Sequence, residues 1–132
     1  MKPIDVVCAI IWMGDKILVA QRSEKMSLPL KWEFPGGKVD GNESEEDCLH
    51  RELKEELNIN IKICERLSPS IHDYGTFAIR LIPFIVEYSD GEIKLAEHRE
   101  AKTYAKEDLK DLDWAQADLP ILYELLDLPN WK

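Results

Sequence analysis

Positive charge is in short supply in this chain: 17 Lys and Arg face 26 Asp and Glu, a formal charge of −9 over 132 residues. That deficit argues against direct DNA or RNA binding through a basic surface. It leaves a nucleotide open, because bound Mg²⁺ reverses the sign of a local acidic site. Long apolar runs are missing as well. The longest, Val6 to Met13, is far below membrane-spanning length. Asp5 precedes it and no small-residue cleavage pattern follows, which argues against a secretory signal. Cysteine is scarce, and Cys8, Cys48 and Cys64 are odd in number, scattered, and without metal-ligand spacing. They read as small core or surface residues in a reducing compartment, so the expected location is cytoplasmic. Repeats, linkers and low-complexity stretches are also lacking. The remaining composition, 45% hydrophobic and 33% charged, is that of an ordinary globular protein. Its length fits one domain, residues 1–132.

Hydrophobic patterning outlines the elements. Val6 to Met13 reads as a strand covered on both faces, Gly14-Asp15 as a turn, and Lys16 to Arg22 as the returning arm. Residues 23–31 form a polar, proline-bearing loop, Trp32-Glu33-Phe34 a short strand, and Pro35-Gly36-Gly37 a breaker. Ser44 offers an N-cap with Asp47 as a short-armed capping box, and Asn58 offers a left-handed stop. Ile59 to Leu67 and Phe77 to Tyr88 read as strands. In the second, Phe77, Ile79, Leu81 and Ile85 share one face, and Ala78, Ile82, Phe84 and Val86 the other. Pro83 argues for an edge or a bulge there. Asp90-Gly91 is a turn and Lys102-Thr103-Tyr104 a short closing strand. Leu119 to Leu128 has helical spacing, with Asp118 as cap and Pro120 in the first turn. Strands before and after each helix imply an α/β or α+β layered domain with a mixed sheet.

The helix after Ser44 carries the chemistry. At about 100° per residue, Leu49, Leu53 and Leu57 form an apolar stripe, and Glu52, Glu55 and Glu56 form a second stripe beside it. This helix can pack on a sheet while its acids enter an adjoining cleft. Crowded carboxylates repel, and a divalent metal holding a phosphorylated substrate would relieve that repulsion. Mg²⁺ suits such a site, because it shares oxygen ligands among carboxylates, water and phosphates. Gly36-Gly37 allows close backbone approach, Lys38 can meet a phosphate as a point charge, and Arg51 can hold Glu55 at i,i+4. The bland alternative is a solvated acidic face. Asp40, Asn42 and Ser44 alternate as in a calcium loop, but that motif needs Gly at Glu45 and Glu at Arg51, so it is set aside. His72 and His98, without a partnered Ser or Cys motif, read as loop or surface residues. The tryptophans read as core or rim, and the acids Glu107-Asp108 and Asp111-Asp113 as solvated.

The ordered pattern goes further. Gly37, five residues, Glu43, seven residues, Arg51-Glu52-Leu53, one residue, Glu55-Glu56, one residue, Asn58 and Ile59 resemble the Nudix box. The departure is Asn58, where the family has glycine; Asn is the next-best residue for a left-handed exit. The flanks Ala20-Gln21-Arg22 and Trp32 to Lys38 resemble the MutT-like branch. The resemblance implies an α/β/α sandwich, with a mixed β-sheet between helices, that hydrolyses nucleoside diphosphate derivatives using Mg²⁺, or Mn²⁺ as a substitute. Carried over, Glu52, Glu55, Glu56 and the Gly36 carbonyl would bind metal, and Glu52 would activate water. Glu43 and Arg51 would orient the acidic helix. Glu97 would reach the metal from a later loop, with Glu100 as the alternative, and Arg22 and Lys38 would meet phosphates.

For the MutT-like branch the implied reaction converts a nucleoside triphosphate and water to the monophosphate and pyrophosphate, a role in nucleotide-pool sanitation and DNA repair. Phe34 and Trp32 could wall a base pocket. Ala117-Asp118-Leu119-Pro120 resembles the branch acting on cytidine triphosphate, whereas relatives favouring oxidised guanine nucleotides carry Asn at the Asp118 place. A carboxylate accepts from cytosine's amine or from N7–H of oxidised guanine, so CTP, modified dCTP and oxidised dGTP all stay open. Simple helix capping is the bland reading of Asp118. Rival readings are hydrolysis of another nucleoside diphosphate derivative and a silent nucleotide-binding module. The chain would act as a monomer or homodimer. Repulsion should raise the carboxylate pKa values when metal is absent, so weak activity at acid pH and strong metal dependence are expected.

Overall fold

The computed structural model describes residues 2–128. β1 (Ile4–Met13) and β2 (Lys16–Gln21) form the first hairpin. Next come β3 (Trp32–Glu33), β4 (Gly36–Lys38), helix α1 (Glu45–Leu57) and β5 (Asn60–Arg66). β6 (Ser70–Asp73), β7 (Ala78–Asp90), β8 (Glu100–Tyr104) and helix α2 (Leu119–Asp127) complete the order. A 3₁₀ turn, Lys106–Asp111, leads toward α2. Among the described residues, the eight strands make one sheet of central order β3-β2-β1-β7-β5, with β4 beside β1, β6 beside β7 and β8 beside β2. β1 and β7 run parallel while the other strand pairs are antiparallel, so the sheet is mixed, as expected.

Strand alternation sorts β1 into two layers. Val7, Ala9 and Ile11 face α1, where they meet Cys48, Leu49, Leu53 and Leu57. Cys8, Ile10 and Trp12 face α2, where they meet Ile121, Leu122 and Leu125. The uninterrupted apolar run in the sequence is therefore a strand covered on both sides, and the sheet lies between the helices. Helix α1 has 13 residues, a length at which an isolated helix is marginal. Burying each leucine of its stripe contributes roughly 1.5–3 kcal/mol, so packing rather than propensity holds it. Its ends lie where the sequence indicates, with the Ser44 half of the expected capping box formed. Ser44 Oγ accepts from the Asp47 N–H at 3.0 Å, and Asn58 exits at φ 60, ψ 36.

Four expectations are corrected. Pro35-Gly36-Gly37 does not simply break the chain: Gly36–Lys38 pairs antiparallel with Val6–Cys8. Pro83 lies in the interior strand β7, paired with Cys8 of β1, and not at an edge. It is tolerated because the partner on its other side changes there from β6 to β5, with only the Leu67 N–H reaching the Pro83 carbonyl. β6 was not evident from the sequence, being short, polar and half-exposed; it carries His72, so that residue sits on a strand and not in a loop. Asp118 occupies the N-cap position of α2 but makes no side-chain cap. Of the tryptophans, Trp12, Trp32 and Trp114 are buried, and Trp131 lies outside the described residues.

Candidate active site

β1 changes partners along one edge: Val6–Cys8 pair with β4 and Ile11–Met13 with β2. Between them the Ala9 N–H reaches the Pro35 carbonyl at 2.8 Å. The divergence opens a cleft of about 300 Å³ whose wall includes Arg22, Phe34, Gly36, Glu52, Glu56, Glu97 and Asp118. That volume is at the small end of ligand sites. Seven of the residues singled out in the sequence thus share one cavity, although they come from five separate segments.

One end of the cleft is apolar. Phe34 lies 4.7 Å from Trp114, centroid to centroid, and Tyr74 stacks on Phe77 at 5.1 Å. Phe34, Tyr74 and Phe77 line the cavity together with Ile79 and Leu81. Trp32 does not line it; it packs edge-on against Tyr104. Asp118, 6% exposed, sits in this apolar wall, and its Oδ2 accepts the Phe34 N–H at 2.8 Å. Burial pushes the Asp118 carboxyl well above the usual range, and the nearby Glu33 charge adds to the shift. The Phe34 hydrogen bond and Arg22 oppose it.

The other end is acidic. Glu52 and Glu56 point into the cleft from α1, and Glu97 approaches from the segment before β8. Burial raises the Glu52 carboxyl; Arg51 opposes this, and Glu55 and Glu56 add to it. Burial also raises Glu56, with His98 opposing and Glu97, Glu33 and Glu55 adding. The expected mutual repulsion is therefore present but secondary to desolvation. Gly37 stands against Glu52 so closely that a Cβ would fall on its carboxyl group, and a Cβ on Gly36 would fall on the Val7 carbonyl.

Arg51 organises the flank. Its Nε and Nη2 grip both oxygens of Glu43 at 3.0 and 2.7 Å, and Nη1 donates to Glu52 at 3.0 Å and to Glu55 at 3.1 Å. The paired guanidinium holds the Glu43 carboxyl down to about 2. Cys48 ties the helix to β4, its Sγ 3.4 Å from the Lys38 carbonyl. Glu55 is exposed and turned to Arg51, outside the cleft wall. Lys38 is likewise exposed and outside that wall. Arg22 lines the cavity, but its guanidinium is engaged by Glu33 at 2.8 Å, the Ser27 carbonyl at 2.6 Å and the Ser27 Oγ at 3.0 Å. Glu100 lies in β8 opposite Gln21, away from the cleft wall.

Among the described residues, no three acidic, histidine or cysteine side chains already converge as a complete ligand set. The donor chemistry nonetheless fits a hard divalent cation: half-buried carboxylates beside a glycine pair whose backbone is open to the cleft. Two participants were missed in the sequence. His98 is buried at 8% exposure and is not a surface residue; its Nε2 lies 2.6 Å from Glu33 Oε2. The segment carrying it docks on the end of α1, with the Lys94 and Ala96 N–H groups donating to the Leu57 and Glu56 carbonyls. No local pattern announces such a contact. Glu33 itself had a weak signal, standing next to Phe34 and the glycine pair.

No helix among the described residues is long and apolar enough to cross a membrane. The NUDIX domain profile matches residues 1–125. The chain is 35% identical over 128 residues to the CTP pyrophosphohydrolase of Escherichia coli strain K12, covering 97% of this chain and 95% of that one. It is 36% identical over 116 residues to the putative 8-oxo-dGTP diphosphatase 2 of Mycobacterium tuberculosis, covering 86% and 81%. The fold is similar to the solution structure of the DNA mismatch repair protein MutT, family Nudix hydrolase, of methicillin-resistant Staphylococcus aureus 252. That match has a TM-score of 0.76 and 42% identity and covers 95% of this chain and 96% of that one. A cleft with acids at one end and a buried aspartate at the other, built on that box and that sheet, belongs to a chain that is a member of the Nudix hydrolase family.

Proposed function

We propose that this Nudix hydrolase is a Mg²⁺-dependent nucleoside triphosphate pyrophosphohydrolase acting, as one domain, on CTP, modified dCTP or oxidised dGTP. The observation that carries the reading is Asp118: a buried carboxyl anchored on the Phe34 N–H within the same cavity as Glu52 and Glu56. A nucleotide laid along the cleft would put its base beside Phe34 and Asp118 and its phosphates toward the α1 acids. One Asp118 oxygen is held by the backbone and the other, in the ionised form, is left to accept from the base. Cytosine N4–H and the N7–H of oxidised guanine both suit it, and ordinary guanine offers only acceptors there.

At the acidic end, Glu52, Glu56, Glu97 and the Gly36 carbonyl would hold the cation, with Glu55 joining once it leaves Arg51. The bound cation would supply neutralisation of phosphate charge and a lower pKa for water. Glu52 is assigned the water's proton: Arg51 fixes its Oε1, and its carboxyl group abuts Gly37. The water oxygen forms the new bond to phosphorus, a P–O–P bridge breaks, and pyrophosphate leaves with the electron pair. Arg51 and Glu43 orient the helix.

Arg22 clamps the 23–31 loop and contributes field more than contact. The related proteins named for CTP and for 8-oxo-dGTP support the substrate class. The deciding experiment is a nucleotide panel with monophosphate and pyrophosphate both quantified, with and without a chelator. Release of orthophosphate instead of pyrophosphate, or turnover unaffected by chelation, would overturn the reading.

A further inference from the structure

Glu33 is fully engaged: Oε1 accepts from Arg22 Nη1 at 2.8 Å and Oε2 lies 2.6 Å from His98 Nε2. An ionised carboxylate cannot donate, so His98 Nε2 carries the proton of that bond. The ring is thereby aimed. Its Nδ1 is buried without a hydrogen-bond partner and stands 3.6 Å from Glu56 Oε2, with the side chain only 4% exposed. That spacing is too long for a hydrogen bond, and the contact is an ion pair when the ring also carries a proton on Nδ1. Among the described residues, His98 is the one basic side chain within 4.0 Å of the Glu56 carboxylate. Both ends of the arrangement are anchored by backbone. The β2–β3 register sets Glu33 opposite Ala20, and the Arg99 N–H donates to the Gln21 carbonyl at 3.0 Å.

We propose that Glu33 and His98 are a positioning pair that holds Glu56 facing the cleft, and so sets cation affinity; this rests on the reading of Glu56 given above. Both residues line the cleft beside Glu56, and the proposed role is exerted through Glu56. A carboxylate that fixes a histidine, which in turn orients a ligand, is the arrangement by which outer partners tune metal sites, and loss of such partners typically costs about 10–100-fold in metal affinity or activity.

The two ring nitrogens can be tested separately. Asn places its amide near the position of Nδ1, and Gln places its amide near that of Nε2. Mn²⁺ binding to the substrate-free protein is measured by calorimetry, alongside kcat and KM. His98→Ala weakens Mn²⁺ binding and kcat by about 10-fold or more and leaves the nucleotide KM within about 3-fold. His98→Asn recovers part of both losses and His98→Gln does not. Glu33→Gln lowers both in the same direction, and adding it to His98→Ala costs little more, because the two act as one unit. His98→Ala that binds Mn²⁺ like the unaltered protein, or Asn no better than Ala, overturns the proposal. Should the Ala variant fail to fold, the Asn and Gln variants, checked by thermal melts, decide alone. An unaltered protein that binds Mn²⁺ but hydrolyses no nucleotide would sink the functional reading, and the calorimetric comparison would still judge the pair.

Discussion

The Asp118 carboxylate accepts the backbone N–H of Phe34 at 2.8 Å, which spends on a β-strand end a side chain placed to cap a helix. Burial penalises the charged form, and the nearby Glu33 charge adds to the penalty. With the folded pKa raised above the unfolded value, Asp118 favours folding most below about pH 3.9, the ordinary Asp value. That contribution is lost as pH rises through the folded pKa. Asp118→Asn, which keeps an oxygen for Phe34, therefore melts higher than the unaltered protein at pH 8, and the gap closes as pH falls toward 4. A gap independent of pH would refute the burial argument. In the nucleotide panel the same variant loses the preference for cytosine or oxidised guanine over ordinary guanine.

Glu52→Gln should lose at least about 100-fold in pyrophosphate release, the usual scale for a proton acceptor. Its fold should be intact, since burial disfavours the charge it removes. Equal or higher thermal stability in chelator, measured by circular dichroism, accompanies the loss. A fall in melting temperature with activity retained would reverse the assignment.

The glycine pair should separate function from folding. In Gly37→Ala the new methyl meets the movable end of Glu52, so the protein folds and activity falls by at least about 10-fold as that carboxyl is displaced. In Gly36→Ala it meets the Val7 backbone, which cannot yield, and stability drops by roughly 1–3 kcal/mol. Denaturant melts and initial rates on both variants check the contrast.

Arg51→Ala removes the grip on Glu43, Glu52 and Glu55 and should reduce kcat by about 10-fold or more. Its stability defect has a predictable pH window. The Glu43 carboxyl is depressed to about 2, so the contribution of the pair is present above the ordinary Glu value of about 4.3 and is lost as pH falls toward 2. Melting curves of the two proteins, apart at pH 6, should draw together in acid. The defect is small because the pair is accessible to solvent.

The α1 segment was legible because its determinants are local. Ser44, Asn58, the leucine stripe and the acids beside it depend only on helical geometry, and they stand where spacing indicated. The two-layer core was legible from β1, whose unbroken apolar run requires cover on both faces. His98 was not legible: its burial comes from the 91–99 segment docking on α1 carbonyls, a contact between groups every residue possesses. Pro83 misled because its tolerance depends on a change of partner strands invisible in one dimension. For Asp118, capping and cavity lining use the same side chain, and only the approach of Phe34 separates them.

By itself, then, the sequence determined the acidic helix, its two caps and the layered α/β plan, because periodicity and caps act within a few residues. Tertiary structure alone decided which acids enter the cleft, that Glu55 and Lys38 stay outside it, and that Glu33 and His98 stand behind Glu56. Those outcomes depend on strand register and loop docking, which bring side chains together across distances that local chain geometry does not encode.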